Sequence, residues 1–230
     1  MFAMNRIVTA CVQAPETPGR TASIRGLMGV ALLLLTLPLD AMKPTDPAHP
    51  TLRLATFGGG CFWCLEAAYD RYRGVQSVVS GYAGGTTPNP TYQQVCSGAT
   101  GHAEVVQITF DPAIITYDQL LDIFWEIHDP TTLNRQGADR GTQYRSIILF
   151  HDAEQQEAAV RSRERISRRF QDPVVTEIVP LQVFYRAEAE HQNFYRRNPK
   201  YPYCVAVIDP KLKQLEKRIP AAETAPAPAD

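Results

Sequence analysis

Hydrophobic and polar residues follow two different periods between residues 51 and 218. Alternating positions and short apolar runs predict strands at 51–57, 75–85, 102–110, 143–151 and 174–184, the last as a strand pair or one bent strand. Helical spacing predicts helices at 61–72, 116–129, 153–170 and 188–197, and one short helix within the loop 86–98. Strands with one apolar face alternate loosely with helices, which favours an α+β protein of two packed layers.

The segment 116–129 carries a clear helical pattern and is followed by a segment with none. Its first residue, Thr116, is a favourable N-cap, and its apolar residues recur at helical spacing. Residues 130–142 are polar, with Leu133 as their one large apolar side chain. Because a long polar loop inside a compact domain is usually functional or mobile, this loop is a candidate part of a site.

Composition indicates a globular protein and excludes charge-driven binding. The chain has 230 residues, of which 44% are hydrophobic and 20% charged, and its net charge is −1. Such a charge gives no overall attraction to nucleic acid or anionic lipid. The basic run at 161–170 has glutamates interleaved at helical spacing, with Glu157 four residues before Arg161, so we interpret it as a solvated helix face.

The two ends of the chain differ in composition from residues 51–218. Arg20 and Arg25 precede an apolar run at 27–39 that has the length of a signal peptide, so residues 1–50 are predicted to be a leader and a proline-rich linker. This predicts an exported or membrane-tethered protein; the alternative is a cytoplasmic one. Residues 219–230 are rich in proline and alanine and are predicted to be a disordered tail.

The five cysteines are too few for a disulfide scaffold, and an odd number cannot all be paired. Cys61 follows three glycines and opens a predicted helix, where backbone N–H groups are expected to lower the pKa of a thiol and make it a nucleophile. A structural zinc site needs four ligands, usually as two close pairs, and Cys61–Cys64 is the one close pair in the sequence. A thioredoxin-like domain also fits poorly, because its active-site aromatic residue normally precedes the pair.

Glu104 is the next candidate for chemistry. In the strand 102–110, alternation places Glu104 on the same face as Val106, Ile108 and Phe110. Desolvation on this apolar face is expected to raise the pKa of the carboxyl group, so that it stays protonated near neutral pH. A neutral carboxylic acid in a dry pocket can donate a hydrogen bond and then a proton.

Five segments, taken in order, resemble the A-type peptide methionine sulfoxide reductases. They are GGCFWC, SGYAGG, NPTYQQVCSGATGHAEVV, HDPTTLNRQGADRGTQYRS and EAEHQNFYRRNP, and they extend the resemblance over residues 52 to about 210. The resemblance implies a ferredoxin-like α+β sandwich with a mixed or antiparallel sheet, and Cys61 as the nucleophile. It also implies a pocket for the sulfoxide oxygen formed by Tyr92, Glu104, Asp139 and Tyr144.

The resemblance further implies the reaction. Cys61 attacks the sulfur of methionine S-sulfoxide, free or in oxidised proteins, while Glu104 protonates the oxygen, and Cys61 is left as a sulfenic acid. Phe62 and Trp63 are expected to form the apolar slot for the methyl group. No metal and no bound organic cofactor is expected, and an external dithiol such as thioredoxin is expected to restore the thiols of a monomeric enzyme.

Two thiols are candidates for resolving the sulfenic acid. Cys64 lies one helical turn from Cys61, whereas Cys204 matches the family's C-terminal recycling cysteine and lies in a proline-rich segment that reads as an extended coil. We expect Cys204 to resolve, with a relay through Cys64 left open.

The other marked residues are expected to be structural. Cys96 is predicted to be a small buried thiol, and His102 and His191 are predicted to be structural hydrogen-bonding residues. Two other functions stay open from the sequence: a thiol–disulfide oxidoreductase that uses Cys61 and Cys64 alone, and a cysteine-based redox sensor without turnover.

Overall fold

The computed structural model describes residues 51–221, which form a six-stranded sheet, a two-stranded hairpin and six α-helices. The strands are β1 (Arg53–Gly58), β2 (Val75–Ala83), β3 (Ala103–Phe110), β4 (Arg135–Gln136), β5 (Asp139–Arg140), β6 (Ile147–Phe150), β7 (Glu177–Pro180) and β8 (Phe184–Arg186). The helices are α1 (Phe62–Tyr69), α2 (Tyr92–Cys96), α3 (Tyr117–Ile127), α4 (Ala153–Ser167), α5 (Phe194–Arg197) and α6 (Asp209–Arg218).

The sheet has the topology that the predicted fold class requires. Its strands lie in the order β7-β6-β1-β3-β2-β8, and every neighbouring pair is antiparallel except β6 and β7. With the short α2 left aside, the chain order β1-α1-β2-β3-α3-β6 and the spatial order β6-β1-β3-β2 give the βαββαβ arrangement of ferredoxin-like folds. The predicted α+β sandwich with a mixed sheet is confirmed.

The main core lies between one face of the sheet and helices α1, α3, α4 and α6. Val106, Ile108 and Phe110 of β3 join this core, whereas Val105 points to a smaller cluster on the other face. Glu104 shares the face of Val106, as the alternation predicts, and only 1% of its surface is exposed. The period-two pattern of β3 therefore carries a carboxyl group into the apolar interior.

Helices α3 and α4 begin where the sequence predicts. The Thr116 hydroxyl accepts a hydrogen bond from the Gln119 N–H at 3.2 Å, and the Gln119 side chain accepts one from the Thr116 N–H at 2.8 Å, which is a capping box. On α4, Glu157 and Arg161 form an exposed ion pair at 3.5 Å, which contributes little stability. The solvated-face interpretation of this helix is confirmed for that pair.

Residues 174–184 differ from the prediction in their pairing. They contain β7 and the first residue of β8, and these two strands lie at opposite edges of the sheet: β7 pairs with β6 in parallel and β8 pairs with β2. The predicted strand pair or single bent strand is therefore wrong. Apolar alternation reports which face of a strand is buried, but the partner of an edge strand is set by the rest of the sheet.

The segment before β6 is also more structured than predicted. The polar loop 130–142 contains the β4–β5 hairpin, and a 3₁₀ turn at Thr142–Tyr144 follows it. Strand β6 consequently starts at Ile147, four residues after the predicted start at 143.

The C-terminal part is helical, and the prediction of an extended coil is wrong. Residues Cys204–Ile208 form a π-helical stretch that continues directly into α6. Pro210 lies in the first turn of α6, where its missing N–H is tolerated, so this proline accompanies a helix start. Leu212 and Leu215 of α6 are buried in the core, which fixes the helix in place.

The packed domain extends past residue 218. The Ile219 carbonyl accepts a hydrogen bond from the Tyr72 hydroxyl at 2.9 Å, and Ile219 packs against the core, so it does not belong to the predicted tail. Within the described range, no helix is long and apolar enough to cross a membrane. The predicted leader at 1–50 and residues 222–230 of the predicted tail lie outside that range.

Candidate active site

Cys61 lies where β1 ends and α1 begins. It is the N-cap residue of α1, with extended backbone angles, and Gly58–Gly60 connect it to the strand. Gly60 has a φ of +92°, and a Cβ atom there would lie 2.7 Å from the Gln136 side chain, so only glycine fits. The Gly60 N–H donates to the Tyr144 carbonyl at 3.2 Å, which attaches the loop after β5 to the same turn.

Glu104 reaches this turn from β3. Its Oε2 accepts a hydrogen bond from the Phe62 N–H at 3.1 Å, whereas its buried Oε1 has no hydrogen-bond partner among the described residues. The pKa of Glu104 is raised to about 8, first by burial and then by the charges of Asp139 and Cys64. The hydrogen bond from the Phe62 N–H acts in the opposite direction. The predicted neutral carboxylic acid is confirmed, and one of its oxygens is free to bind a ligand.

The prediction that the helix start lowers the pKa of Cys61 is wrong. Burial raises the pKa of this thiol well above its usual value, and the hydrogen bond with Cys64 and the charge of Glu104 add to the rise. The Trp63 N–H lowers the pKa, as expected at a helix start, but by less. Cys61 therefore carries its proton at neutral pH in this structure.

Cys64 is the more acidic of the two thiols. Its pKa is about 7, lowered first by the hydrogen bond with Cys61, against the effect of burial, and then by the charge of Lys211 and the Tyr203 hydroxyl. The Tyr203 hydroxyl lies 3.9 Å from the Cys64 Sγ and donates to the Asp139 Oδ2 at 2.6 Å. Asp139 is thus placed at the site, where it orients the tyrosine beside Cys64.

Tyr92 and Tyr144 complete the group around Glu104. Burial raises the pKa of both phenols well above the usual value, and the Glu104 charge acts on each of them. Both therefore keep their protons and can donate hydrogen bonds. The five residues predicted for the catalytic centre, from separate parts of the chain, occupy one region of the structure: Cys61, Tyr92, Glu104, Asp139 and Tyr144.

Aromatic side chains line the same region on the side of α1. The Phe62 ring is buried and lies 5.3 Å from the His191 ring, while Trp63 stacks face to face on Phe194 with 3.7 Å between ring centroids. His191 also lies 4.4 Å from the Tyr92 ring. These rings form an apolar wall beside Cys61, in agreement with the slot predicted from Phe62 and Trp63.

Sequence reasoning missed part of this wall. It assigned His191 a structural hydrogen-bonding role, but the buried Nδ1 of His191 has no partner in the described part of the chain, and the ring packs among Phe62, Trp63 and Tyr92. His191 is therefore structural, as predicted, but through ring packing and an Nε2 that lies 4.0 Å from the Glu188 Oε2. The predicted hydrogen-bonding role is confirmed for His102, whose ring nitrogens bond the Gly85 N–H at 3.0 Å and the Thr87 carbonyl at 2.8 Å.

Two further cysteines occupy places that the sequence did not indicate. Cys96, predicted to be buried, is exposed at the end of α2, where it lies near the Tyr92 side chain. Cys204 is fully buried in the π-helical stretch. It lies close enough to Cys64 that a charge on Cys64 raises the pKa of Cys204. Tyr203 was missed as well, although its place directly before Cys204 was a usable signal.

Residues 51–221 contain no candidate metal site. Within that range, no group of three or more histidine, cysteine, aspartate or glutamate side chains could hold a metal ion. The polar groups that face Cys61 are instead a neutral acid and two phenols, which suit a ligand with a hydrogen-bond-accepting oxygen.

Comparisons with known proteins agree with this arrangement. A family model described as peptide methionine sulfoxide reductase matches residues 53–223. Peptide methionine sulfoxide reductase MsrA of Sulfolobus acidocaldarius is 57% identical over 169 residues, which cover 74% of this chain and 96% of that protein. The MsrA of Leptospira borgpetersenii is 58% identical over 163 residues, covering 71% and 93%. The crystal structure of Mxr1 from Saccharomyces cerevisiae in reduced form matches at a TM-score of 0.64 and 37% identity, covering 69% of this chain and 91% of that chain.

The family match spans every residue of the site described above, from the Cys61 turn to Cys204. Three findings indicate the same family: the fold, the buried acid beside a thiol, and relatives whose sequences are more than 50% identical. The chain therefore belongs to the A-type peptide methionine sulfoxide reductases, enzymes that reduce methionine sulfoxide with cysteine thiols.

Proposed function

We propose that this protein reduces methionine S-sulfoxide, free or within oxidised proteins, to methionine, with Cys61 as the nucleophile. The observation that carries the proposal is the free Oε1 of a protonated Glu104 in the buried group around Cys61. A sulfoxide offers an oxygen that accepts hydrogen bonds and a sulfur that accepts a nucleophile. These are the two properties that a buried acid and a thiol would use together.

In the first step, the Cys61 sulfur attacks the sulfoxide sulfur. Glu104 gives its proton to the sulfoxide oxygen, and the proton of the Cys61 thiol returns to the Glu104 carboxylate. The oxygen and its proton then pass to Cys61, and the bond between the two sulfurs breaks. Methionine leaves reduced by two electrons, and Cys61 is oxidised by two electrons to a sulfenic acid.

The remaining site residues hold the substrate. Tyr92 and Tyr144 keep their protons and would donate hydrogen bonds to the same oxygen, which stabilises the charge that develops there. Phe62 and Trp63 would receive the methyl group, because their rings form an apolar wall beside Cys61. Asp139 would act indirectly, since it holds the Tyr203 hydroxyl.

Cys64 is the better placed thiol for resolving the sulfenic acid, although the sequence favoured Cys204. The Cys64 N–H donates to the Cys61 carbonyl at 3.0 Å, which holds the two residues one helical turn apart. The pKa of Cys64 is the lower of the two, so Cys64 would supply the thiolate that attacks the sulfenic sulfur. Attack forms the Cys61–Cys64 disulfide and breaks the S–O bond, and the hydroxyl group takes a proton from solvent and leaves as water. Cys204 is then proposed to receive the disulfide from Cys64 in a relay.

An external dithiol completes the cycle. It becomes a disulfide and returns both protein thiols to the reduced state, and the family resemblance points to thioredoxin as this dithiol. The enzyme is further proposed to act as a monomer. No role is proposed for nucleic acid, since the net charge of −1 offers no general attraction to it.

The place of action is proposed from the sequence alone. The apolar run at 27–39, preceded by Arg20 and Arg25, supports export or membrane tethering. Fractionation of the producing cell is expected to find the protein outside the cytoplasm or on its membrane. An uncleaved product in the soluble cytoplasmic fraction would refute this part of the proposal and leave the reaction untouched.

Incubation of the full-length protein with methionine S-sulfoxide and dithiothreitol tests the reaction, with methionine quantified after separation. The protein is expected to form methionine from the S epimer and very little from the R epimer. Cys61→Ser is expected to abolish turnover, because a hydroxyl is a far weaker nucleophile than a thiol. Cys11→Ser, which changes a thiol outside residues 51–221, is the matched control and should remain active. Activity of Cys61→Ser above a few per cent of wild type, or no methionine from either epimer, would contradict the proposal.

A further inference from the structure

Tyr92 belongs to a helix that cannot hold its own position. Helix α2 has only five residues, Tyr92–Cys96, and it follows a loop rich in glycine and proline. A helix of one turn is not stable by itself and depends on contacts with other parts of the protein. The Thr91 capping box closes the start of α2, but it bonds only to Gln94 of the same helix. Something outside α2 must therefore set the place of the Tyr92 phenol.

Burial of Val95 anchors α2 in the core, and the polar contact at the start of the helix comes from Glu188. Its Oε1 accepts a hydrogen bond from the Tyr92 N–H at 2.8 Å, although the two residues are 96 positions apart. Its Oε2 accepts one from the Tyr82 hydroxyl, also at 2.8 Å. Tyr82 lies on β2, is fully buried, and pairs across the sheet with Glu104. A single carboxylate thus connects α2 to the strand that pairs with the proposed acid.

Glu188 itself is mounted on a fixed segment. The Ala187 N–H donates to the Ser80 carbonyl at 3.0 Å, and the Gln192 side chain exchanges two hydrogen bonds with the Ser80 backbone, at 3.1 and 2.9 Å. The segment 187–192 is therefore held to β2 on both sides of Glu188. The same segment presents the His191 ring, which packs 4.4 Å from the Tyr92 ring.

The charge of Glu188 strengthens both contacts. Partial burial opposes ionisation, but the hydrogen bonds from the Tyr92 N–H and the Tyr82 hydroxyl help to lower the pKa of Glu188 below its usual value. An ionised carboxylate accepts stronger hydrogen bonds than a neutral amide of the same shape. Glu188→Gln is consequently expected to weaken the connection while it keeps the size of the side chain.

We propose that Glu188 is a positioning residue that holds the Tyr92 phenol within hydrogen-bonding distance of the sulfoxide oxygen. This inference rests on the proposed function, in which Tyr92 donates a hydrogen bond to that oxygen. Glu188 does not touch the substrate in this account; it acts through the backbone of Tyr92 and through Tyr82. A small displacement of a donor group is enough to slow a reaction that depends on its geometry.

A double-mutant cycle separates this role from a general effect on the fold. The rate of the sulfoxide step is measured in a single turnover without reductant for wild type, Glu188→Gln, Tyr92→Phe and the double variant. Glu188→Gln and Tyr92→Phe are each expected to slow this step on the order of 10-fold. The double variant is expected to be no slower than Tyr92→Phe, because Glu188 has no phenol left to position.

Two further variants keep the test decisive. Glu190→Gln changes an exposed neighbouring carboxylate and is the matched control, with a rate expected within twofold of wild type. Tyr82→Phe removes one of the two bonds to Glu188 while the carboxylate stays, and an intermediate loss is expected. If Glu188→Gln does not fold, Tyr82→Phe replaces it in the cycle with Tyr92→Phe.

The outcomes distinguish the inference from the proposed function. Multiplicative losses in the double variant, or a wild-type rate for Glu188→Gln beside a slow Tyr92→Phe, would overturn the role of Glu188 alone. A wild-type rate for Tyr92→Phe would remove the role of Tyr92 in the proposed function, and the inference would fall with it.

Discussion

Cys61 and Glu104 both hold their protons in the unliganded protein, and burial is the first cause in each case. A neutral thiol beside a neutral acid avoids two buried charges of the same sign, which would repel each other at short range in a low-dielectric interior. The pair becomes reactive when a sulfoxide oxygen takes the proton of Glu104. At the scale of single residues, the site therefore depends on one proton at the carboxyl group.

The pH dependence of the sulfoxide step tests the role of that proton. Because Glu104 has a pKa of about 8, the single-turnover rate is expected to fall as pH rises through this value and the acid ionises. Glu104→Gln is expected to slow the step roughly 10²-fold, a usual loss for a general acid, and to abolish this fall above pH 8. A rate for Glu104→Gln within twofold of wild type would show that Glu104 is not the acid.

The same carboxyl group also affects stability. Its pKa is raised in the folded state, so its contribution is fully present below about pH 4.5 and is lost as pH rises through about 8. Glu104→Gln removes this loss and is expected to gain stability over wild type between pH 5 and pH 9, by up to about 5 kcal/mol. Chemical denaturation at both pH values measures the gain, with the exposed Glu190→Gln as control. An equal difference at the two pH values would contradict the expectation.

At the scale of elements, the start of α1 meets the C-terminal π-helical stretch. Tyr203 joins the two, with its hydroxyl 3.9 Å from the Cys64 Sγ and hydrogen-bonded to Asp139 of β5. The wide turn of a π-helix often occurs at functional sites and is poorly stabilised. Cys204 is buried in this stretch, so a disulfide with an external protein requires the stretch to move.

Peptide mapping after one equivalent of sulfoxide, without reductant, identifies the resolving thiol. In Cys204→Ser we expect a Cys61–Cys64 disulfide to form at the wild-type rate, because Cys64 lies one helical turn from Cys61, with its N–H bonded to the Cys61 carbonyl at 3.0 Å. Turnover of this variant with thioredoxin is expected to fall, since the relay has lost its last thiol. Rapid formation of a Cys61–Cys204 disulfide in Cys64→Ser would show instead that Cys204 resolves directly.

At the scale of the whole molecule, packing against the core shows where the domain begins and where it ends. Strand β1 starts at Arg53 in the centre of the sheet, and Ile219 packs against the core after α6. The family match at 53–223 agrees with these limits. All the proposed site residues lie between them.

Removal of residues 1–50 is therefore expected to leave catalysis intact. A protein that starts at Thr51 should keep kcat/KM for methionine S-sulfoxide within about twofold of the full-length chain, because it contains every group proposed to act on the substrate. Removal of residues 1–60 is the contrasting variant: it deletes β1 and is expected to prevent folding. Loss of activity in a folded protein that starts at Thr51 would place part of the site in the leader.

The sequence was sufficient for features that depend on near neighbours. The N-cap at Thr116, the turn of glycines before Cys61 and the alternation that places Glu104 with Val106 are all local patterns. Each was predicted because a few adjacent residues determine the backbone geometry or the face on which a side chain lies. Tyr92, Asp139 and Tyr144 were instead found by resemblance, which carries information that local patterns lack.

Only the tertiary structure decided the properties that sum contacts from distant parts of the chain. The pKa of Cys61 follows burial rather than the helix start, and Cys96 is exposed although it was predicted to be a small buried thiol. The contacts of Glu188 with Tyr92 and of Tyr203 with Asp139 join residues 96 and 64 positions apart. Periodicity along the chain indicates the direction of a side chain, but desolvation and long-range pairing depend on what the fold brings against it.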